Sequence, residues 1–586
     1  MDEQPWVDVA ADDEITPSSP CVVRLGRLQL AVLRDDDGHL HALNNRCPHE
    51  GYPLAQGYVR GCTLTCAWHN FKFDLRDGQC LMGDEPVGVF PVRVCDGRVQ
   101  VDPREPADEG AVERGMARLG SALLERKLGQ IARETVRLLE LGVAPERLAI
   151  EAARFDAVHA DYGSTHALPV ATDILGYLPR YPGPSAALPL MQAFDLASEP
   201  NVRRPSRPLA EPEDPGDDPV AAGDRLRLRV RDEDGAGAEA LLRGALARGW
   251  SRAQIEPWLL APCFDHFLSF GHPLIYTIKT FDLLERVGWE HAEVVLPALL
   301  CRTVSATRED TLPRWRSFVA KQAAVEPKVS AWWATTPTTR TVAAMVPEQR
   351  EAWWSALVQG HRDEAFDAIA QMLDHGCAPA AIADLVGAAA AARLLRLQLD
   401  HDGDDTVQEG WLDVTHTMTF ADAVHHAVER TTDPTALRLL FQSARFVNNA
   451  RTLDGPDATA QLLPSPAPTS VEAIRDSILG RRPHDAVAQV TRYLIDHGAD
   501  DALAAMCSDL PLQDVYTRPI VIAHAIKTGR VAFELAARLQ GTPWAHLPIA
   551  AFVRFAAAAP RERSVARLVH EAERLVVEGK VPRTLT

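Results

Sequence analysis

The sequence predicts an α+β multidomain chain in which a small antiparallel β domain precedes a large all-α helical-repeat domain. Residues 1–104 contain short β-rich runs that are bounded by Asp-Gly turns. From residue 110 onward Ala, Leu, Arg and Glu dominate, and apolar residues recur at helical spacing. Within this helical part, one arrangement of a turn glycine and a following histidine occurs four times, which indicates an internal repeat.

The β domain is predicted from period-two alternation of apolar and polar residues and from its turns. Asp35-Asp36-Asp37-Gly38 and Asp96-Gly97 are turn sequences that join neighbouring runs, the second as a hairpin. The strand-like runs are Val22–Leu25, Leu28–Leu33, Leu40–Leu43, Val92–Val94 and Val99–Val101. This pattern predicts a small antiparallel sandwich that ends near Pro103 and presents two ligand loops at one tip.

Two short loops in this domain contain paired cysteine and histidine residues. Cys47-Pro48-His49 is followed, after sixteen residues, by Cys66-Ala67-Trp68-His69. Two thiolates on one iron and two imidazoles on the other are the ligand set of a Rieske [2Fe–2S] centre, and the imidazoles raise its reduction potential. A zinc site is the alternative, but zinc sites typically pair Cys with Cys and His with His, whereas each loop here mixes the two. We therefore predict both cysteines and both histidines as cluster ligands.

The loops resemble those of the Rieske family, in particular its ferredoxin and oxygenase branch. Respiratory-complex members have a further cysteine in each loop, joined as a disulfide, where this sequence has Tyr52 and Trp68. Two departures from the branch are Asn70, where Gly is usual, and Ala67, where Pro is common, and neither removes a ligand. The resemblance implies a one-electron carrier fed by an external reductase or ferredoxin. The electron that the cluster carries needs an acceptor, either elsewhere in this chain or on a protein that docks to it.

Composition excludes several classes of protein. The 586 residues are enough for about three or four domains. The formal charge of −19 argues against nucleic acid as a partner. The first ten residues are acidic, and the longest apolar run, 378–397, is interrupted by charges, so we expect no signal peptide and no membrane span. Ten cysteines without framework spacing predict a reducing, cytoplasmic location.

The helical part, residues 110–586, is predicted to form one catalytic domain. Helical repeat 1 occupies 110–197, repeats 2 and 3 occupy 225–452, and repeat 4 with the C-terminal helices occupies 470–586. The segments 198–224 and 453–469 are rich in Pro and polar residues, which predicts exposed connectors that cannot bury enough apolar surface to fold. A capping-box pattern at 469–472 predicts that a helix restarts after the second connector.

Each predicted copy of the repeat contains a helix that ends in a glycine, then a second helix, then a helix that opens on a histidine. The glycines are Gly142, Gly249, Gly376 and Gly498, and the histidines are His166, His272, His416 and His524. The histidines follow their glycines by 24, 23, 40 and 26 residues. Because repeats related by rotation bring equivalent side chains toward one axis, we predict that these imidazoles bind a mononuclear Fe(II). The alternative is a solenoid in which they are core residues or caps.

Two lysines are candidates for completing this site. Lys527 lies one turn after His524 on the same face, and a lysine buried there would be neutral or carbamylated, the latter form being an oxygen ligand. Lys279, two turns after His272, is the second candidate. The alternative for either lysine is a side chain that extends to solvent. Further histidines close enough to compete as ligands are His266, His425 and His426.

Carboxylates precede histidines by one helical turn at two places. Asp413 precedes His416, and Asp156 precedes His159. Such pairs predict either carboxylate support for an imidazole or a di-iron carboxylate site. The Asp-x2-His-x4-His iron motif of Rieske oxygenases is not met, because the nearest pattern is Asp156-x2-His159-x6-His166 in a helical context. We therefore do not expect the mixed α/β catalytic domain of that family.

Four segments of the helical part resemble the questin oxidase-like family of all-helical oxygenases. They are HALPVATDILG, GHPLIYTIKTFDL, THTMTFADAV and HAIKTGRVAFEL. The resemblance implies oxidative ring cleavage or Baeyer–Villiger-like oxygen insertion on polycyclic aromatic ketones such as anthraquinones. Members of that family generally lack a Rieske domain, so its presence here is a departure.

Together these features predict a Rieske-dependent non-heme iron oxygenase. The [2Fe–2S] cluster would pass electrons to the histidine-bound Fe(II), which would activate O2 against an aromatic or quinone-like, polyketide-like substrate. The competing hypothesis is a Rieske electron carrier fused to a helical-repeat interaction scaffold, in which the four histidines are structural.

Overall fold

The computed structural model describes residues 6–26, 28–104, 110–335, 341–403, 410–455, 464–558 and 577. The chain divides into two compact units. The first contains Met1–Ala122 and Lys127–Gly142, and the second contains Leu123–Arg126 and Val143–Thr586. The prediction of a small antiparallel β domain followed by a large helical region is confirmed.

The β part of the first unit consists of three small antiparallel sheets. Their strand orders are β1-β11-β10, β2-β3-β4-β9 and β5-β6-β7-β8. The strands are β1 (Val7–Ala11), β2 (Cys21–Leu25), β3 (Leu28–Arg34), β4 (Leu40–Asn44), β5 (Tyr58–Arg60), β6 (Thr63–Thr65), β7 (Lys72–Asp74), β8 (Cys80–Met82), β9 (Val89–Phe90), β10 (Val92–Cys95) and β11 (Arg98–Val101). The five predicted runs correspond to β2, β3, β4, β10 and β11.

The sheets enclose two apolar clusters. One includes Leu43, Leu54, Leu64 and Phe73 together with the thiols of both predicted ligand cysteines. Sequence analysis missed β5 to β8, because strands of three residues are too short to show alternation. These short strands position the second ligand loop, which lies between β6 and β7.

The first unit continues past the last strand. The β structure ends at Val101, close to the predicted boundary at residue 104, but most of α1 (Ala111–Leu124) and all of α2 (Leu128–Glu140) belong to the same compact unit. The buried Glu85 of the β part accepts hydrogen bonds from Arg133 and Arg137 of α2.

Helices make up most of the second unit. They are α3 (Pro145–His159), α4 (Ala167–Ile174), α5 (Ala187–Ser198), α6 (Pro219–Arg231), α7 (Gly235–Ala247), α8 (Arg252–Asp265), α9 (His272–Val287), α10 (Ala292–Val304), α11 (Arg316–Val325), α12 (Val329–Thr335), α13 (Pro347–Val358), α14 (Arg362–Asp374), α15 (Pro379–Arg396), α16 (Trp411–Arg430), α17 (Arg438–Asn449), α18 (Val471–Leu479), α19 (Pro483–His497), α20 (Asp501–Asp509), α21 (Pro519–Arg538) and α22 (Leu547–Ala558). None of the described helices combines the length and apolar character needed to cross a bilayer.

The longest apolar run forms a core helix. α15 packs against α16, α17, α21 and α22, and nearly all of its side chains are buried. Its buried Arg393 donates to the carbonyl of Val358 and pairs with Asp454, which satisfies the charge that interrupts the run.

Four helices, α4, α9, α16 and α21, form a closed ring of contacts. α4 packs against α9, α9 against α16, α16 against α21, and α21 against α4. Each contains one of the four predicted histidines or begins directly after it. The four turn glycines all have positive φ, between 68° and 82°, as a glycine that ends a helix requires. The repeat itself stays a prediction.

The predicted connectors are only partly as expected. α6 begins at Pro219, inside the range 198–224, and the extended residues before it lie against α7 through the Arg207–Glu239 ion pair at 2.9 Å. Of the second connector, 453–469, residues 456–463 lie outside the described residues, as do the C-terminal residues 559–576 and 578–586. The helical structure restarts at α18, whose N-cap is Ser470. The Ser470 hydroxyl accepts a hydrogen bond from the Ala473 amide.

Candidate functional site

The two cysteine–histidine loops are each closed by backbone hydrogen bonds. In the first loop, which follows β4, the Cys47 amide donates to the Tyr52 carbonyl at 2.9 Å. In the second, the Cys66 amide donates to the Phe71 carbonyl at 2.8 Å. Each loop is thereby a tight turn with its cysteine at the base, and both cysteine side chains are buried.

The four predicted cluster ligands lie together. His49 Nδ1 is 3.3 Å from His69 Nδ1, close to the separation of two nitrogens that bind one ion at about 2.1 Å each. Burial raises the pKa of Cys47 to about 11, and the neighbouring Cys66 thiol adds to this effect. Two buried thiols side by side favour their thiolate forms only when a cation lies between them. The arrangement therefore fits an iron–sulfur cluster.

Two features explain why this pair of loops holds its shape. The rings of Tyr52 and Trp68 stack at 4.1 Å between centroids, and these are the positions at which respiratory-complex relatives have their disulfide. Ring stacking therefore joins the two loops here. Asn70, predicted as a departure from Gly, has a φ of 63°. Asn tolerates this left-handed conformation better than most residues, so the departure is sterically acceptable.

The four histidines of the helical unit converge in its core. The ring centroids of neighbouring pairs lie 4.3 to 6.2 Å apart. One ligand nitrogen from each of His166, His272 and His416 lies within 4.8 Å of the other two. Two nitrogens that each bind one ion at about 2.1 Å are no more than about 4.2 Å apart, so at most a small inward movement would complete a site. His524 is adjacent to His166 and His416, at 5.2 and 4.5 Å between centroids.

The prediction that each histidine opens a helix is right for two of the four. His166 is the N-cap of α4 and His272 is the first residue of α9. His416 and His524 lie inside α16 and α21, which begin at Trp411 and Pro519. Sequence periodicity alone does not fix where these helices begin, because it marks the apolar face of a helix and not its first residue.

Hydrogen bonds at Nδ1 orient three of these imidazoles. His272 Nδ1 donates to the Ser269 carbonyl at 2.6 Å. His524 Nδ1 lies 2.7 Å from the Thr415 hydroxyl, which itself donates to the Leu412 carbonyl and so accepts from the imidazole. His166 Nδ1 pairs with the Tyr276 hydroxyl at 3.2 Å. A proton on Nδ1 leaves the Nε2 lone pair free, as metal-binding histidines require.

Three of the four histidines have an Nε2 atom without a partner among the described residues. The Nε2 atoms of His166, His272 and His416 are shielded from solvent and make no hydrogen bond to any described group. Buried nitrogens without partners are rare, because each forgoes a hydrogen bond to water. Burial holds the pKa of His166, His416 and His524 well below the ordinary histidine value and lowers that of His272 to about 3. The imidazoles are therefore neutral, and the donor set fits a transition-metal ion.

The two candidate lysines have different environments. Lys527 is 1% exposed, and its Nζ makes no hydrogen bond to a described group. Burial lowers the pKa of Lys527 to about 7. Lys279 Nζ lies 2.6 Å from Oδ1 of the buried Asp173. Burial by itself would lower the pKa of Lys279, but the charges of Asp173, Asp422 and Glu534 together raise it. Lys527 is thus available to a ligand in the core, whereas Lys279 is already paired.

The Asp156–His159 pair does not form. Asp156 accepts from the Thr165 amide at 2.6 Å and the Thr165 hydroxyl at 2.8 Å, while His159 pairs with the Arg204 carbonyl. Asp156 on α3 therefore fixes Thr165, the residue before His166, in the turn between α3 and α4. Helical spacing could not reveal this contact, because it depends on the turn between α3 and α4.

Asp413 lies at the start of α16. It accepts from the Gly410 amide at 2.8 Å, and it lines a small cavity together with Val414 and Thr417, the residues of α16 nearest His416 in that lining. The other histidines that could compete as ligands pair elsewhere, His266 with Asp310 and His425 with Asp384, and His426 lies nearest to Asp422. They are not part of the convergent group.

The residues before His272 have strained backbone. Ser269, Phe270 and Gly271 have φ values of 40°, 56° and 82°, and the first two are not glycine. The Glu309 carboxylate accepts from the Phe270 amide at 2.6 Å, and a side chain at Gly271 would collide with Phe420. Consecutive left-handed residues are costly and concentrate at functional sites. Sequence reasoning missed this segment, although its glycine directly before a helix was a visible signal.

The first domain has known relatives. Residues 5–91 match the family described as Rieske [2Fe-2S] domain. The chain is 35% identical over 99 residues to the anthranilate 1,2-dioxygenase ferredoxin subunit of Burkholderia cepacia, a match that covers 17% of this chain and 91% of that protein. The chain therefore belongs, through its first domain, to the Rieske [2Fe–2S] family, the class that the loops and their sheets define.

Two further relatives are parts of oxygenases. One is the 4beta-methylsterol monooxygenase of Methylococcus capsulatus, 33% identical over 113 residues. The match covers 17% of this chain and 31% of that protein. The other is the oxygenase component of the chloroacetanilide N-alkylformylase of Rhizorhabdus wittichii, 38% identical over 86 residues, 15% of this chain and 24% of that protein. The chain thus spans a third or less of the length of these two relatives.

Proposed function

We propose that this chain is a Rieske-dependent non-heme iron oxygenase whose catalytic iron is held by the four histidines of the helical unit. The single observation on which the proposal rests is the convergence of His166, His272 and His416, with their Nε2 atoms buried and unpartnered. Iron(II) bound at such a site, with coordination positions left open, supplies O2 activation. The relatives that are oxygenase components support an oxygenase role for the attached cluster domain.

The chain's own residues divide the work at this site. Ser269 and Thr415 fix the ring planes and tautomers of His272 and His524 by accepting from Nδ1, and Tyr276 orients the ring of His166. Lys527 is our candidate for holding a proton beside the site, because its buried amine makes no hydrogen bond to a described group and its charge acts on all four histidines. Lys279, paired with Asp173, keeps that carboxylate neutralised in the core and is not needed as a ligand.

The substrate is proposed to enter beside α16, where a cavity of about 20 Å³ has room for one water molecule and must widen to admit an aromatic ring system. Its lining includes Asp413, Val414 and Thr417, which flank His416, and Phe270, two residues before His272. The Phe270 ring lies 6.5 Å from the His416 ring and 6.2 Å from the Phe446 ring. Aromatic faces close to carboxylate, amide and guanidinium groups are suited to a flat aromatic molecule with oxygen substituents.

The resemblance of the helical segments to the questin oxidase-like family supports the same class of substrate. We propose a polycyclic aromatic ketone or quinone that undergoes ring cleavage or Baeyer–Villiger-like oxygen insertion. Phe446→Leu is expected to weaken the binding of a hydroxyanthraquinone about five- to twentyfold, because one aromatic face is lost. Phe441→Leu on the same helix is the control, since Phe441 packs on Trp332 and Phe366 instead. Equal effects in the two variants would contradict the assignment of this cavity.

Metal analysis of the anaerobically purified chain tests the proposed iron site. We expect about three irons and two acid-labile sulfides per chain, with a ferrous-nitrosyl EPR signal after addition of nitric oxide. The double variant His272→Ala, His416→Ala should lose the third iron and the nitrosyl signal. His266→Ala, which alters a histidine outside the group, should keep both. Full oxygenase turnover by the double variant would refute the proposal.

An electron carrier fused to an interaction scaffold is the second candidate function. It is favoured by the match to a complete ferredoxin subunit over 91% of that protein's length. Two irons, two sulfides and no nitrosyl signal, even after Fe(II) is added back, would support this candidate. The buried histidines would then be structural, which their unpartnered Nε2 atoms argue against.

A further inference from the structure

The second helix of the first unit, α2, contacts the cluster-binding part directly. Glu85, which is 2% exposed, accepts hydrogen bonds from Nε and Nη2 of Arg133 at 2.8 and 2.7 Å. The same carboxylate accepts from Arg137 Nη1 at 2.7 Å. A buried carboxylate with two guanidinium partners is held rigidly, so the two arginines have little freedom to move.

Arg137 also reaches the ligand loop. Its Nη1 donates to Glu134 at 2.6 Å, and its Nη2 donates to the carbonyl of Pro48 at 3.1 Å. Pro48 is the residue between the predicted ligands Cys47 and His49. One guanidinium therefore connects two buried carboxylates of the first unit to the backbone of the loop that binds the cluster.

We propose that Arg137 is a positioning residue that fixes the Cys47–His49 loop and raises the reduction potential of the cluster bound there. Reduction adds one negative charge to the cluster, and a fixed cation nearby stabilises that charge. The effect is strengthened because Glu85 and Glu134 are buried, which limits screening by water.

The charge balance of the network agrees with this direction. Arg118 pairs with Glu134 at 3.0 Å, so three guanidinium groups face two carboxylates. The network has one net positive charge, and Arg137 is the member with a hydrogen bond to the loop. Arg137 lies outside residues 5–91, so this contact comes from a segment that the match to the Rieske family does not include.

The test is the midpoint potential of the cluster in the full chain, measured by EPR-monitored redox titration. Arg137→Gln should lower the equilibrium constant for reduction three- to tenfold, which is about 30–60 mV for one electron. Arg137→Lys retains the charge and should change it less than twofold. Arg133→Gln is the matched control. Like Arg137→Gln, it removes one positive charge and one of the two arginine partners of Glu85, but it removes no contact with the loop. It should also change the constant less than twofold.

Three outcomes would overturn the proposal. The first is a potential in Arg137→Gln that stays within twofold of the wild type while cluster content is intact. The second is an equal shift in Arg133→Gln, which would mean that only the summed charge matters. If Arg137→Gln does not retain its cluster, Glu85→Gln decides, because removing a negative charge should raise the potential. An unchanged or lower potential in Glu85→Gln is the third. None of these readouts depends on the proposed oxygenase activity.

Discussion

The two proposed metal sites of this chain are built in opposite ways. The cluster ligands lie between residues 47 and 69, in two loops of one small domain. The histidines of the helical unit are spread from residue 166 to residue 524 and meet only because α4, α9, α16 and α21 pack in a ring. A local motif therefore identifies the first site, whereas the second exists only in the folded core.

Solvent exposure separates the two sites as clearly as sequence distance does. The cluster histidines His49 and His69 have 25% and 40% of their side chains exposed. In the helical unit, His272, His416 and His524 are 8%, 5% and 2% exposed. An electron carrier needs contact with its redox partner, while oxygen chemistry benefits from the exclusion of water. The difference matches the two roles that we propose.

The largest expected effect comes from removing one site and measuring the other. Cys66→Ala should abolish the Rieske EPR signal and both sulfides but leave the third iron bound, since the helical site lies in a separate compact unit. The His272→Ala, His416→Ala variant should show the reverse. Reductase-driven O2 consumption should fall at least about a thousandfold in each. Loss of the nitrosyl signal in Cys66→Ala would show that the two sites are not independent.

The next prediction concerns the free energy of unfolding that the helical unit loses because the amine of Lys527 is buried. Lys527 has a folded-state pKa of about 7, depressed from 10.5 by burial. A depressed pKa means that stability is present at high pH and is lost as pH falls toward 7. Lys527→Met removes this loss, so we expect the metal-free unit to be about 4 kcal/mol more stable than the wild type at pH 7 and less than about 0.5 kcal/mol more stable at pH 10.5.

Lys279→Met is the matched control for that experiment. It leaves Asp173 buried in the core without its closest partner, so we expect a loss of about 3–5 kcal/mol. Both changes replace a buried lysine of the same core with an apolar side chain of similar length, and calorimetry of the helical transition at the two pH values measures them. If Lys527→Met instead destabilises the unit at pH 7, the amine of Lys527 must form a stabilising interaction in the wild-type protein. That result would contradict the prediction that its burial lowers the free energy of unfolding.

The same contrast explains what the sequence could and could not predict. Strands β2, β3, β4, β10 and β11 were predictable because alternation and Asp-Gly turns are local signals. The convergence of the histidines could be suggested only because the sequence repeats an arrangement of glycine and histidine. Asp156 contacts Thr165 in the turn between α3 and α4, and Lys279 contacts Asp173 on a different helix, so no spacing within one helix predicts either contact. Helix packing decides such pairs, and packing depends on the whole core.

The smallest expected effect tests whether the exposed site is stabilised locally. The stacked rings of Tyr52 and Trp68 join the two ligand loops, and an aromatic pair contributes about 0.5–1.5 kcal/mol beyond its buried area. Tyr52→Ala, Trp68→Ala and the double variant form a cycle whose coupling free energy should be about 1 kcal/mol. The measurement is the urea midpoint for loss of the cluster's visible absorbance.

Because Trp68 is 55% exposed, its loss should leave the core of the first unit intact. We therefore expect the unfolding of the helical unit to be unchanged in all three variants, and the cluster to be released at lower urea concentration. A coupling near zero would mean that the backbone hydrogen bonds of Cys47 and Cys66 hold each loop without help from the stack. The shape of the cluster site would then depend on the hydrogen bonds within each loop and not on contacts between the two loops.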